Sequence, residues 1–347
     1  MTHSFGAGTV QEEQCLSAKI RWYLGGVIAV LAVANALIFM LATRRFALDG
    51  ALLSATLCFN VYLAVYLLLG NQTLQNELRR RIEQWAWTSS AFLACLLIPY
   101  LIYVAGTATF SWLSLGKLLL FAAGPLIIFH RARHLPPRMT WQDLVVILWL
   151  WLPLDFRWMR DVFVWPGNAL AYSFNSLLAV CLAAFLFVCL RGVADVGYRF
   201  HFTAKDWRIG LSNFLLFAPI AIPLGLGTGF IVFSTRTREL WELGAEMALA
   251  SLGIFIFVAV PEELLFRGLI QNFFGRGFKR ELPALIVTSV IFGAAHLNNG
   301  PRPDWRYFVL ATLAGLFYGR AYLQTRKLMA PAITHTLVDV VWRVFFR

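Results

Sequence analysis

The sequence predicts an all-α fold: a polytopic membrane helix bundle with about ten to eleven transmembrane helices. Three observations predict it. Apolar residues make up 59% of the 347 positions and charged residues only 14%, whereas soluble domains lie nearer half and a quarter. Apolar runs of about 20 residues, the length of a spanning helix, recur along the whole chain. The basic residues stand in short clusters between those runs, at Arg44-Arg45, Arg79-Arg80-Arg81, Arg131 with Arg133, and Arg326-Lys327, as topological signals do.

In chain order the runs cover 22–43, 51–70, 85–106, 112–130, 169–190, 209–233, 245–274, 283–298, 306–323 and 330–346. Run 245–274 exceeds one span and is expected to bend at Pro261. Segment 144–154 is apolar but short, and it runs into Asp155, Arg157 and Arg160; it is read as a tilted span or an interfacial helix. Lys117, inside the fourth run, is read as snorkelling to an interface. The first twenty residues contain Glu12 and Glu13 and have no apolar core. They are not read as a cleavable signal peptide, and the first span is expected to target the chain. The positive-inside rule is met with the N-terminus in the cytoplasm and 144–154 counted as a span. Segments 71–84, 131–143 (Arg131, Arg133, Arg138), 191–208, 275–282 and 324–329 then face the cytoplasm. Arg44-Arg45 and Arg157 with Arg160 oppose this orientation.

Composition also excludes classes. The net charge of +12 would suit nucleic acid, but no basic face with interleaved aromatics accompanies it, so no nucleic-acid partner is expected. Cys15, Cys58, Cys95, Cys181 and Cys189 make no CxxC pair, and four of them lie in apolar runs. That excludes a disulfide framework and a cysteine zinc site.

Residues 1–205 are apolar spans with few polar groups, a multi-span region to which the sequence assigns no role. From residue 206 onward ionisable side chains gather inside the expected helices. A charge within a bilayer is costly and marks a functional site by default. Glu262 and Glu263 follow Pro261 in the middle of an apolar run, with Arg267 four residues beyond Glu263. Residues four apart share a helix face, so Glu263 and Arg267 can neutralise each other. Glu262 is rotated by about 100° from Glu263 and has no basic neighbour on its own face, which suits a general base or acid. The alternative is one buried ion network that only locks two helices together. The next run ends Phe292-Gly-Ala-Ala-His296, and the last carries His335-Thr-Leu-Val-Asp339. The latter puts an imidazole and a carboxylate on one face, where Asp339 can orient His335 or where both can approach one metal or water.

With their order and spacing, these residues resemble the CAAX protease and bacteriocin-processing family of intramembrane peptidases, also called the Abi family. Its EExxxR, FxxxH and HxxxN/D motifs stand here as Glu262-Glu263-Leu-Leu-Phe-Arg267, Phe292-Gly-Ala-Ala-His296 and His335-Thr-Leu-Val-Asp339. Gly315, Tyr318, Thr325 and Ala330-Pro331 resemble the family's approach to its last motif. The resemblance covers about 245–345 and implies a peptidase core over 206–347. It implies that Glu262 and His296 activate a water, that Glu263 and Arg267 hold the site together, and that His335 and Asp339 stabilise the oxyanion or help ligate a metal. The family has been described as zinc-dependent and as glutamate-dependent, so no cofactor is certain; zinc is the candidate metal, with Glu262, His296, His335 and Asp339 as its ligands. No HExxH is present. The implied partners are the lipid bilayer and a membrane protein or lipid-anchored peptide as substrate. The implied location is a bacterial cytoplasmic membrane. Prenyl-protein proteases of the family usually carry Asn where this chain has Asp339. An ionised Asp cannot donate to an oxyanion, so Asp339 is expected to orient His335 or bind a cation.

Gly225-Leu-Gly227-Thr-Gly229 lacks the strand–helix context of a phosphate loop, and Gly315 with Gly319 reads as a close helix contact. Two other functions compete: a transporter using the buried charges as an ion relay, and a non-catalytic scaffold of the same fold.

Overall fold

Lipid offers no partner for backbone N–H and C=O groups, so a spanning chain closes them within helices. The computed structural model describes residues 5–42, 44–132, 139–297, 299–300 and 302–346, with side chains from residue 19 onward. The side chains of Glu12, Glu13 and Cys15, and residues Arg133 and Arg138, lie outside the described residues.

Among the described residues there are twelve helices: α1 (Phe5–Ala42), α2 (Gly50–Leu68), α3 (Gln72–Gln84), α4 (Trp87–Gly106), α5 (Trp112–Arg131), α6 (Trp141–Asp155), α7 (Ala171–Leu190), α8 (Ala204–Gly227), α9 (Leu240–Phe278), α10 (Glu281–Ala295), α11 (Trp305–Thr325) and α12 (Met329–Phe345). The chain is an integral membrane protein with a polytopic all-α fold. Seven helices are long and apolar enough to cross a membrane: α1 over Lys19–Ala42, α2, α4, α5, α7, α8 and α9. All ten runs expected to span are helical, yet three fall outside that set. α10 has 15 residues, about 22 Å. α11 carries Arg306 and Arg320, and α12 carries His335, Asp339 and Arg343. Segment 144–154 lies in α6, also 15 residues long. The connecting segment 71–84 holds a helix of its own, α3, capped by the Asn71 side chain at the Thr73 and Leu74 N–H groups.

Lys117 reaches Asp161 at 2.8 Å and donates to the Trp158 carbonyl at 3.1 Å. Its ammonium therefore ends on a paired carboxylate, not on bare interface.

One buried apolar cluster runs from Ala55 on α2 to Ala332 on α12. α7 stands within it, with 83% of its apolar window buried, so it is surrounded by protein where the other spans face outward. Around the chemistry-bearing residues α12 packs on α8, α9 and α11, and α10 packs on α11. Small residues make those approaches close. A Cβ at Gly293 would lie 2.0 Å from Thr312 Oγ1 and 2.7 Å from the Phe308 carbonyl oxygen, and one at Gly315 would lie 3.0 Å from Ser289 Cα. The Gly315 and Gly319 pair is thus a close helix contact.

Gly293 sits between Phe292 and the turn ending in His296, so its contact sets how closely α10 approaches α11. Gly293→Ala should destabilise the protein by about 1–3 kcal/mol, as overpacking does. The check is thermal unfolding in detergent; a melt at the parental temperature would mean that the two helices can part at no cost.

Candidate functional site

Pro261 stands inside α9 without breaking it, because the helical ladder widens on either side. Phe255–Ala259 and Leu264–Gln271 are π-helical, and Val260–Glu263 is α-helical between them. Such turns have looser, five-residue hydrogen bonds and recur at functional sites. The expected bend at Pro261 takes this form: a continuous helix with a changed ladder.

The two adjacent glutamates take different surroundings. Glu263 and Arg267 are both fully buried, with Glu263 Oε1 at 3.1 Å from Arg267 Nη1. Arg267 Nη2 donates to the Gly315 carbonyl at 3.2 Å. The guanidinium lies 4.6 Å from the ring centre of Phe292 and 5.1 Å from that of Tyr318, positions in which an aromatic face attracts a cation. Glu263 Oε1 also accepts from His335 Nδ1 at 2.9 Å, and the Tyr318 ring stacks on the imidazole at 4.6 Å. Arg267, Glu263 and His335 therefore form one buried chain across α9, α11 and α12.

Glu262 faces the other way. Its side chain is 23% exposed where that of Glu263 is 0%, so only Glu262 borders open space. Its Oε2 is buried without a hydrogen-bond partner and stands 3.9 Å from His296 Nε2 and 3.9 Å from His335 Nε2. That separation is too long for a direct hydrogen bond and short enough for one water to bridge. His296 ends α10, and its Nδ1 lies 2.7 Å from the Phe292 carbonyl oxygen. A carbonyl only accepts, so Nδ1 carries a proton and Nε2 is the nitrogen that faces Glu262. Asp339 Oδ2 lies 3.5 Å from His335 Nε2. These groups border a cavity of about 240 Å³ whose remaining wall is largely apolar and includes the rings of Phe214, Phe217, Phe230, Tyr307 and Trp342.

All six residues singled out in the sequence (Glu262, Glu263, Arg267, His296, His335 and Asp339) come together. His335 is held on both sides, with Nδ1 donating to Glu263 Oε1 of the facing helix and Nε2 turned to Asp339. The candidate metal ligands do not close into a cage. Zinc takes nitrogen and oxygen ligands at about 2.0–2.2 Å, and among the described residues no group of three or more His, Cys, Asp or Glu side chains converges to hold a metal ion. The structure adds Tyr318, as a platform for both His335 and Arg267, and the Gly315 carbonyl. Their signal in the sequence is the one-turn spacing of Gly315 and Tyr318 on a helix with a contact glycine.

Fold and site together define a polytopic membrane protein with an ionisable cluster held between its helices. Residues 244–341 match the family model described as Rce1-like, type II CAAX prenyl endopeptidase, in agreement with the resemblance that the three motifs carry. Uncharacterized protein YpbD of Bacillus subtilis (strain 168) is 30% identical over 87 residues, which cover 25% of this chain and 40% of that relative. The chain thus spans less than half the length of the curated relative it matches. No solved structure matches the chain.

Removing Arg267 leaves Glu263 as an uncompensated buried charge. Arg267→Ala should cost about 3–5 kcal/mol and lower the amount of folded protein recovered from membranes. The double variant Glu263→Gln/Arg267→Met, which removes both charges, should recover part of that loss. Thermal unfolding checks both, and Arg267→Ala melting like the parent would show that the pair carries no structural weight.

Proposed function

We propose that this chain is an intramembrane endopeptidase that cleaves a membrane protein or a lipid-anchored peptide. The observation that carries this reading is Glu262 Oε2, unpartnered and 3.9 Å from the Nε2 atoms of both His296 and His335 at the wall of the cavity. The family match over 244–341 supports it independently.

In this mechanism a water lies between Glu262 and His296. Glu262 takes a proton from it as the oxygen attacks the scissile carbonyl, and the C=O bond becomes a tetrahedral oxyanion. His335, with a proton on each ring nitrogen, donates Nδ1–H to Glu263 and Nε2–H to the oxyanion. As the C–N bond breaks, the proton held by Glu262 passes to the leaving amine. Asp339 supports the charge on His335 from its cavity side. Arg267 and Glu263 act one layer back, fixing the imidazole. The aromatic wall suits an apolar segment or a lipid chain beside the scissile bond. Every step uses the chain's own groups, and none passes through a metal.

By the positive-inside rule the N-terminus lies in the cytoplasm, and the membrane is the bacterial cytoplasmic one. Residues 206–347 form the peptidase core in this reading, and 1–205 the region that supports it.

The direct test is comparative proteomics of membranes holding the parent or Glu262→Gln. The variant should accumulate normally, since the amide keeps the shape of the side chain, but it should lose peptide cleavage, and at least one membrane-associated substrate should be retained at full length. Normal turnover by purified Glu262→Gln would remove the base from the mechanism. Unchanged proteomes together with measurable ion flux through the parent would favour the transport reading.

Asp339→Asn should lower turnover substantially, because the charge beside His335 is lost while the shape is kept. Full activity of that variant would reduce Asp339 to a hydrogen-bonding role. Metal analysis belongs to the same experiment: chelator-resistant turnover is expected. Zinc near one equivalent, lost in His296→Ala and His335→Ala, would replace the water-only scheme with ligation.

A further inference from the structure

Pro261 leaves a gap in the site helix one residue before Glu262. It has no N–H, so it can serve neither the carbonyl four residues back, on Phe257, nor the one five back, on Ile256. The ladder is already at the five-residue step there, with the Val260 N–H reaching the Phe255 carbonyl. A carbonyl left bare inside an apolar core costs about 1–3 kcal/mol. Two hydroxyls from the N-terminal half donate to these two carbonyls. Ser176 Oγ, on α7, donates to the Phe257 carbonyl at 3.1 Å, and the Tyr66 hydroxyl, on α2, donates to the Ile256 carbonyl at 3.4 Å. Both donors are buried, at 5% and 0% exposed, so water is poorly placed to take their part. The Phe59 ring lies 5.9 Å from that of Phe257 and 6.1 Å from that of Phe174, which ties α2 and α7 to the same turn.

We propose that Ser176 and Tyr66 are positioning residues of the site, a proposal that rests on the reading of Glu262 as its base. By donating to the two carbonyls beside the gap that Pro261 makes, they fix the turn from which Glu262 projects. Glu262 must stand between two imidazoles at equal distance, 3.9 Å from each. A small rotation of that turn would bring it toward one and away from the other. The segment 1–205, outside the family match at 244–341, thereby acquires a defined role, in which its second and seventh helices hold the catalytic turn in register.

The test uses the full chain in detergent, with Ser176→Ala, Ser176→Thr and Tyr66→Phe each made with Pro261 present and with Pro261→Ala. Two readouts are taken: kcat and KM on the substrate that the Glu262→Gln comparison identifies, and the rate at which a hydrophobic carbodiimide modifies Glu262, followed by mass spectrometry. Ser176→Ala should lower kcat about tenfold with KM within about twofold, as misplacement of a catalytic group does. Ser176→Thr, which keeps the hydroxyl, should restore it, and Tyr66→Phe should show a smaller loss. Pro261→Ala returns an N–H to the ladder, which at the five-residue step reaches the Ile256 carbonyl, so in that background Tyr66→Phe should change neither kcat nor the labelling rate. A purely structural contact would not be cancelled in this way. Parental kcat and labelling in Ser176→Ala and Tyr66→Phe, with Glu262→Gln inactive, would overturn the positioning role and leave the base intact. If Glu262→Gln itself turns over normally, the base reading has failed. The labelling rates then decide alone: a shift that Pro261→Ala cancels sustains positioning, and no shift ends it.

Discussion

The buried guanidinium of Arg267 is the constraint around which the last third of this molecule is arranged. A fully desolvated cation needs its charge balanced and its donors filled. Glu263 balances it from one turn away, the Gly315 carbonyl takes a second donor, and the rings of Phe292 and Tyr318 cover its faces. Each of these demands fixes something else. The bond to the Gly315 carbonyl needs α11 close by, and the contact of Gly315 with Ser289 lets α11 lie against α10. Tyr318, placed over the guanidinium, also stacks on His335. Glu263, placed against Arg267, has its Oε1 beside His335 Nδ1. The imidazole orientation is thus inherited from the arginine's needs.

That inheritance explains why two adjacent glutamates are useful. One is committed to structure, with its charge absorbed by Arg267 and its oxygen shared with His335. The other, about 100° away around the helix, turns its Oε2 to the two imidazoles, 3.9 Å from the Nε2 of each. In the proposed mechanism a site with only one acidic residue would have to choose between holding the histidine and acting on water. The doubled residue separates the two roles, and Pro261 just before it, with widened turns on both sides, sets the angle at which the pair enters the site.

Much of this was legible in the sequence, and the limits have physical causes. The ten apolar runs are helices because length and hydropathy act locally. The Glu263–Arg267 pair was legible because four-residue spacing is a property of the helix itself. His335 and Asp339 share one face of α12, but the second partner of His335 was not legible, since Glu263 arrives from α9 across a tertiary contact that no periodicity encodes. The hydroxyls of Ser176 and Tyr66 were invisible for the same reason: they lie 81 and 190 residues from the carbonyls they serve. Lys117 read as an isolated charge because Asp161 lies beyond the reach of a helical pattern, 44 residues away.

α9 has one more implication. Its 39 residues extend about 58 Å, nearly twice the roughly 30 Å of hydrocarbon they traverse. Tilting by about 40°, the upper end of what spanning helices show, still leaves roughly 45 Å along the membrane normal. At least a quarter of the helix therefore stands at headgroup depth or beyond, where Glu242 and Glu246 at one end and Arg276 at the other are at home. Glu262 lies about 33 Å from the first residue of this helix and about 24 Å from its last, so its shorter path to water runs toward the Phe278 end. For the proposed hydrolysis, the water that reacts is thus supplied along the end of the helix that carries Arg276.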